Sequence, residues 1–581
     1  MINNERIAVV TDNPIMAAVI SSGFVAQGQY VPVYEAPRMQ RPDADREIVT
    51  LVNSMRRVGA QKIIYSNVDE SVPDWIANYL DIPYAIFDNI TELGDQAADI
   101  QEFADSMIAA DAAQKLYERC ASSSSPKRLA VFIVNTNEVD SVIAANYAIA
   151  RNADFYTINT PDDLAGLIVE RLNNISAPNV VVDVRKIDMR QLKEDLEGYL
   201  PSIDLSTYAK ILFISNGIPF GITAPSVPTA HLPKLKLGIS IANNLGEYVV
   251  ALNQKHAFNG TILINREINT QKEEEAMSAA LLRTQGLVKT KSMYHAKLSE
   301  LEVEIFPYDV LYVATHGSQV VAERCTYNFR TADGKSHEIV VAVGRGTTGS
   351  VHHIESVDGV AKSSASWDRD LHGSVWVDYM ENVVRKNVQL VPLKSESVLL
   401  QMRDLQFEPN QTGLGSGTAF NSLAGGNLPL VIVNACGSWN ELNGNFLFAG
   451  CSAFVGTLLP VTNGIAENYA EAFFNELFNS ELINVAHIAK QSLPDDYTQG
   501  LYMFCGTFES KFDFKSSRND PNGIDVLLDR IPKQVARIED RIKEIKDTED
   551  ERFTEAYKVQ SMYLQNELDQ FRNSLNSTNK K

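Results

Sequence analysis

Cysteine is scarce in this chain, with five residues in 581. A sparse, odd-numbered set is no disulfide scaffold and reads as the usage of a reducing compartment, so a cytoplasmic location is expected. No two cysteines form a Cys-x-x-Cys pair, which argues against a thiolate zinc site. No apolar run approaches about 18 residues, so no membrane-crossing segment is expected. The opening MINNERIAVV carries an early glutamate and no long apolar core, and is not read as a signal peptide. Basic residues are in deficit: 52 Lys+Arg face 73 Asp+Glu, a formal net charge of −21. Phosphates must be met by excess Lys and Arg, so neither nucleic acid nor an anionic membrane is expected as a direct partner. No Gly-x-Gly-x-x-Gly follows the first strand and no phosphate loop occurs in residues 1–270, so no cofactor is expected. No repeat with a period of about 20–50 residues is found.

What is present is ordinary globular composition, 45% hydrophobic and 22% charged, in a chain long enough for about three to five domains. Short apolar runs at Ile7–Val10, Lys62–Tyr65 and Tyr84–Phe87 alternate with helical patterns, predicting an N-terminal α/β domain over 1–120 with a parallel sheet. The serines at 122–125, followed by Pro126, mark a boundary. A middle α/β domain over 127–270 opens with Leu129–Val134 and continues through Val180–Val184 and Ile211–Ile214, before a proline-rich connection from Pro219 to Pro233. A charged linker helix is predicted over 271–300 and a third globular segment over 303–516. In 521–581, Ile531, Val535, Ile538, Ile542 and Ile545, then Leu564, Leu568, Phe571 and Leu575, recur at heptad-like spacing. These stripes predict a helical hairpin or coiled coil able to hold a partner or a second copy, with a tail packed on its own domain as the alternative.

The third segment carries the chemistry. Val310–Ala314 runs into Thr315-His316-Gly317-Ser318, and Leu430–Asn434 runs into Ala435-Cys436-Gly437-Ser438. Each is an apolar strand that stops on small residues and delivers one reactive side chain there. Functional groups of open parallel sheets gather at such carboxyl ends. If the two strands are neighbours, an imidazole meets a thiol. A free thiol, with a pKa near about 8.5, is little ionised at neutral pH, and a neighbouring imidazole turns it into a nucleophile. The oxyanion formed on a peptide carbonyl needs fixed donors, and the N–H groups of Gly317 and Cys436 are candidates. Read singly, a buried cysteine is a packing residue and a His-Gly pair a turn.

The pair VATHGS and VIVNACGS resembles the caspase-like cysteine peptidases, closest in pattern to the CHAT branch and less so to the gingipain branch. The resemblance covers roughly residues 300–510 and extends through the Gly-containing stretch from Asn445 to Pro460, a helix at Ile465–Asn479 and a last strand at Leu501–Gly506. It implies an α/β fold with a mostly parallel sheet flanked by helices, His316 as general base and Cys436 as nucleophile. It also implies a protein substrate, latency until activation, and a place in a bacterial antiviral defence or cell-death pathway. The middle domain would then be a pseudo-protease or support domain.

Basic-specific members of that clan carry an acid two residues before the cysteine or just after the following strand. Here Asn434 and Asn463 stand at those places, both neutral, so a neutral or small residue before the cut is expected; Glu467 and Asp378 are the acids that could alter this. The long insertion between His316 and Cys436 opens with alternating residues and a hairpin signal at Asp333-Gly334. His352, His353, Asp368, Asp370 and His372 have ligand chemistry but read as a solvated surface, and no metal site is assigned. The glycine-rich stretch 410–427 reads as a lid or as a plain surface loop. Two other functions compete with the peptidase: a degenerate caspase-fold binding or scaffold protein, and a small-molecule-sensing regulator built on the N-terminal segment.

Overall fold

The computed structural model describes residues 6–25, 30–37, 44–86, 97–121, 127–135, 138–176, 180–234, 236–242, 258–264, 288–294, 310–314, 317–332, 334–346, 349–361, 369–384, 386, 388, 390–407, 411–412, 429–439, 444, 446–447, 450–508, 510–511 and 536. The chain is mixed α/β, with a large, mostly parallel sheet flanked by helices. Residues 521–581, except Ala536, lie outside the described set, and so does the predicted helical tail. Among the described residues, no helix is long and apolar enough to cross a membrane.

The N-terminal unit holds β1 (Ile7–Thr11), α1 (Pro14–Val25), β2 (Val33–Tyr34), α2 (Ala44–Val58), β3 (Lys62–Ser66), α3 (Ser71–Ala77), β4 (Tyr84–Ile86), α4 (Ala97–Asp105) and α5 (Ala112–Cys120). Its four strands form a parallel sheet in the order β2-β1-β3-β4. On α2, Ile48, Leu51, Val52 and Met55 recur every three or four residues and are buried, so one helical stripe covers a sheet face.

The next segment supplies β5 (Leu129–Val134), α6 (Val139–Ala150), β6 (Asp154–Ile158), α7 (Leu164–Ser176), α8 (Val182–Glu197), β7 (Lys210–Ile214), β8 (Thr229–Leu232) and α9 (Leu237–Ala242). Then come β9 (Phe258–Ile264), β10 (Val288–Tyr294) and β11 (Val310–Ala314). Two readings change here. The apolar run Val180–Val184 enters a helix rather than a strand, because Met189, Leu192 and Leu196 are buried at helical spacing while Val181, Val182 and Val184 stay exposed. The predicted linker helix at 271–300 is a strand over Val288–Tyr294, where Val288, Thr290 and Ser292 alternate with lysines in a ladder parallel to β9; the rest of that range lies outside the described residues.

The insertion after β11 forms its own antiparallel sheet of β12 (Gly317–Arg330), β13 (Ser336–Gly346), β14 (Gly349–Val357), β15 (Val360–Ala361), β16 (Lys394–Phe407) and β17 (Gln411–Thr412), with α10 (Arg369–Tyr379) against it. The Gly334 hairpin is formed: Arg330 faces Ser336, and Gly334 takes φ +87°. Val375, Tyr379 and Val383 cover Cys325, Phe329, Ile339 and Val341. Asp378 accepts the Ala332 N–H at 2.7 Å, so it fastens the helix to this hairpin tip.

The chain returns with β18 (Leu430–Asn434), β19 (Ala453–Thr457), α11 (Asn463–Glu476), α12 (Leu482–Gln491), α13 (Asp496–Gln499) and β20 (Tyr502–Cys505). One ten-stranded sheet runs β10-β9-β11-β18-β19-β20-β8-β7-β5-β6. Strands of the predicted middle and third domains therefore share a single sheet, and β9 joins β11 rather than β5–β8. Every strand pairing in it is parallel except β19 with β20. The carboxyl ends of β11 and β18 consequently lie on the margin opposite those of β8 and β5. Val310–Ala314 and Leu430–Asn434 are buried throughout, as befits parallel strands covered on both faces.

One core residue is costly. Lys490 on α12 is 7% exposed, with no carboxylate at ion-pair distance among the described residues, and burial pushes its ammonium down to about 8. The unfolded chain holds that proton more tightly, so the penalty is full below about pH 8 and fades as pH rises toward the ordinary lysine value. Lys490→Met is expected to raise stability by about 2–3 kcal/mol at neutral pH, with the gain shrinking near pH ~10 in thermal unfolding.

Candidate active site

β11 and β18 are direct neighbours, parallel and in register from Val310↔Leu430 to Ala314↔Asn434. In the sequence, His316 and Cys436 each stand two residues beyond the last paired residues. His316 and Thr315 lie outside the described residues. Gly317 is the first residue of β12 and pairs with Leu405 of β16.

Cys436 is partly buried, and its Sγ lies 3.8 Å from the carbonyl oxygen of Val461. Two residues beyond Val461, α11 begins, and Thr462 provides no side-chain cap. A helix start carries partial positive charge, a setting suited to negative charge developing on a reacting group. The turn holding the thiol is braced from β19. Thr457 Oγ1 donates to Ala435 O at 2.6 Å and accepts the Gly437 N–H at 2.8 Å. Ser438 Oγ donates to Val433 O at 2.7 Å and accepts the Thr457 N–H at 3.0 Å. Gly437 takes φ +62°, which few other residues adopt. Gly456 allows β19 to pass close by, since a Cβ there would come within 3.0 Å of the Trp439 backbone. With the Gly437 N–H engaged, the Cys436 N–H is the neighbouring donor that makes no hydrogen bond among the described residues.

The other four cysteines sit in different surroundings. Cys451 and Cys505 are buried and burial raises both, Cys505 to about 12. Trp439 Nε1 donates to the Cys505 sulfur at 3.0 Å. Cys120 is also raised by burial, and Cys325 is buried in the insertion core. Two of the described histidines are engaged elsewhere. His231 accepts the Gly221 N–H on Nε2 and faces Phe504 O through Nδ1, and burial keeps it neutral, at about 3. His337 meets Asp358 at 2.7 Å in the insertion.

Of the residues expected in the substrate pocket, Asn434 has another task. It is 5% exposed, its Nδ2 donates to Tyr312 Oη at 2.7 Å and Ala466 O at 3.2 Å, and its Oδ1 accepts from Tyr502 Oη at 2.7 Å. It ties β11, β18, β20 and α11 together inside the fold. Asn463 and Gly464 are exposed in the first turn of α11, and Glu467 is partly buried one turn further along. Asp378, at the hairpin tip, serves the insertion instead. His352 and His353 lie in β14, Asp370 and His372 in α10, and Asp368 outside the described residues. The sequence reading missed Thr457 and Ser438; the available signal was a hydroxyl closing β19 and another four residues beyond the end of β18.

Comparison with known families finds no family model that matches this chain. No curated protein matches it either.

Proposed function

We propose that the chain is a cysteine endopeptidase of the caspase-like type, closest to the CHAT branch, that cuts a protein substrate with Cys436 as nucleophile and His316 as general base. The observation that carries this is the parallel pairing of β11 with β18, whose last paired residues, Ala314 and Asn434, each precede one member of the dyad by two positions. In the reaction, the imidazole takes the thiol proton and the sulfur attacks the scissile carbonyl. The Cys436 N–H, with Gly317 as second donor, stabilises the oxyanion; loss of one such donor typically lowers the rate by a factor of about 100–1,000. The imidazolium then protonates the leaving amine, and water releases the acyl group.

The thiol's surroundings favour a neutral or small residue before the cut. Asn434 is fully engaged inside the fold, and the first turn of α11 offers Asn463 and Gly464, neither charged. A guanidinium there would lack a matched carboxylate unless Glu467 turned to it. A fluorogenic peptide library incubated with the protein tests both statements. Hydrolysis favouring Ala, Ser or similar residues before the cut is the expected result. A strong Arg or Lys preference would overturn the specificity, and hydrolysis that survives thiol alkylation would overturn the mechanism. Activation through a partner or through the C-terminal helices, and a role in a defence pathway, belong to the same proposal.

A further inference from the structure

Away from the thiol, a set of buried charges lies where the N-terminal unit meets the ten-stranded sheet, on the margin opposite Cys436. β8 ends at Leu232, and Lys236 immediately precedes α9. Lys236 takes φ +57°, uncommon for a residue with a side chain. Its Nζ lies 2.8 Å from Glu47 Oε2 on α2, the two side chains being 9% and 5% exposed. Lys234 Nζ lies 3.0 Å from Asp140 Oδ2 on α6 and donates to Asn135 O at 3.2 Å. The Gly238 N–H donates to the Glu35 carboxylate, just after β2, at 3.2 Å. A Cβ at 238 would approach Val33 O to 2.3 Å, so only glycine lets α9 rest on β2. Ile239 and Ala242 complete the joint by entering the N-terminal core beside Tyr34, Ile48 and Val52.

Among the described residues, the charges in this joint do not balance. Glu35, Glu47 and Asp140 are three carboxylates, and Lys234 and Lys236 are two ammonium groups. Further acids face it: Glu138 acts on Asp140, and Asp12, at the end of β1, accepts the Ala36 N–H at 3.0 Å. Asp140 Oδ1 is buried without a hydrogen-bond partner. A buried carboxylate with no cation is costly unless it is neutralised. We propose that Glu35, Asp140, Lys234 and Lys236 form a proton-dependent latch that closes the β2–α2 side of the N-terminal unit onto α9 and opens it as pH rises.

The direction follows from the groups themselves. Burial raises Glu35 to about 7 against the pull of Lys236, and raises Asp140 to about 6 against the pull of Lys234. Both carboxyls hold a proton more tightly closed than open, so closing takes up protons. The latch is strongest below the ordinary carboxylate range, weakens as pH rises through about 6 to 7, and is flat beyond that. Elsewhere α1 shares the main apolar core with α5 and α6, so the response is a local opening rather than release of the unit.

Hydrogen exchange of the full-length chain at about pH 5 and about pH 8, expressed as protection relative to intrinsic amide rates, tests this. In the wild type, protection of β2 and α9 is expected to fall across the window by up to about tenfold per pH unit for each carboxyl that gives up its proton, while β5 and β7 stay unchanged. Glu35→Gln and Asp140→Asn, which mimic the protonated side chains, are each expected to leave the joint better protected at the higher pH and to make the fall shallower by that carboxyl's share. Equal wild-type protection at both pH values, or a wild-type slope retained in both variants, overturns the latch. The readout needs no catalysis, so its failure and that of the peptidase reading are separate results.

Discussion

Cys436→Ala is expected to abolish cleavage of the protein substrate while leaving the thermal unfolding midpoint within a few degrees of wild type. The sulfur is partly buried and its contact with Val461 O, at 3.8 Å, is long, so removing it disturbs little packing. The chemistry, in contrast, has no substitute. Cys451 and Cys505 are buried with raised thiols, and Cys325 sits inside the insertion core. The measurement is incubation of wild type and variant with candidate protein substrates encoded beside this chain, followed by gel and mass analysis. His316→Ala is expected to slow the same cleavage by about 100-fold or more, in line with the loss of a general base. It should also reduce labelling of Cys436 by a thiol-alkylating peptide probe. If Cys436→Ala still cuts, the peptidase assignment fails. If neither wild type nor variant cuts under any partner condition, and the probe ignores Cys436, the degenerate binding-protein reading takes its place.

How much of this was legible in sequence depends on which interaction decides each element. β1, β3, β5, β7, β11 and β18 are strands of five or six residues, each built on a largely buried apolar run of three or more, and that hydrophobicity alone marks them. The four-residue β8 sits between Pro228 and Pro233, so turn signals hide it, and its place is set by neighbours: Cys505↔His231 on one side and the β7 ladder on the other. That pairing is tertiary, and it is what fuses two apparent domains into one sheet. Val180–Val184 misled in the other direction, because a β-branched run reads as a buried strand even where helical spacing of Met189, Leu192 and Leu196 chooses the inward face. At the site, the thiol and its strand were visible in the sequence. The hydroxyl of Thr457 was not, because its value lies in meeting Ala435 and Gly437 across a strand pairing.

Asn434→Leu is expected to lower stability by roughly 3–5 kcal/mol, the largest stability effect at this site, because the side chain is a junction. Leucine has the same branching and heavy-atom count but offers nothing to Tyr312 Oη, Tyr502 Oη or Ala466 O, all of which now meet the Asn434 amide inside the fold. Each buried polar group deprived of a partner costs about 1–3 kcal/mol. The tyrosines cannot easily turn away: Tyr502 stacks on Tyr469 with ring centroids 3.6 Å apart, and Tyr312 packs edge-on against Phe474. Thermal and denaturant unfolding measure the loss. The alternative role, direct contact with substrate, makes the opposite forecast: a changed KM or altered preference before the cut, with the unfolding midpoint nearly unmoved. Asn434→Asp sharpens the distinction. A carboxylate there would face the Ala466 carbonyl 3.2 Å away and would have to hold a proton to replace the lost donor. The variant should therefore be destabilised more at high pH than at low pH, and should gain no preference for basic residues. A gain of Arg or Lys cleavage in Asn434→Asp would show that this side chain reaches the substrate after all.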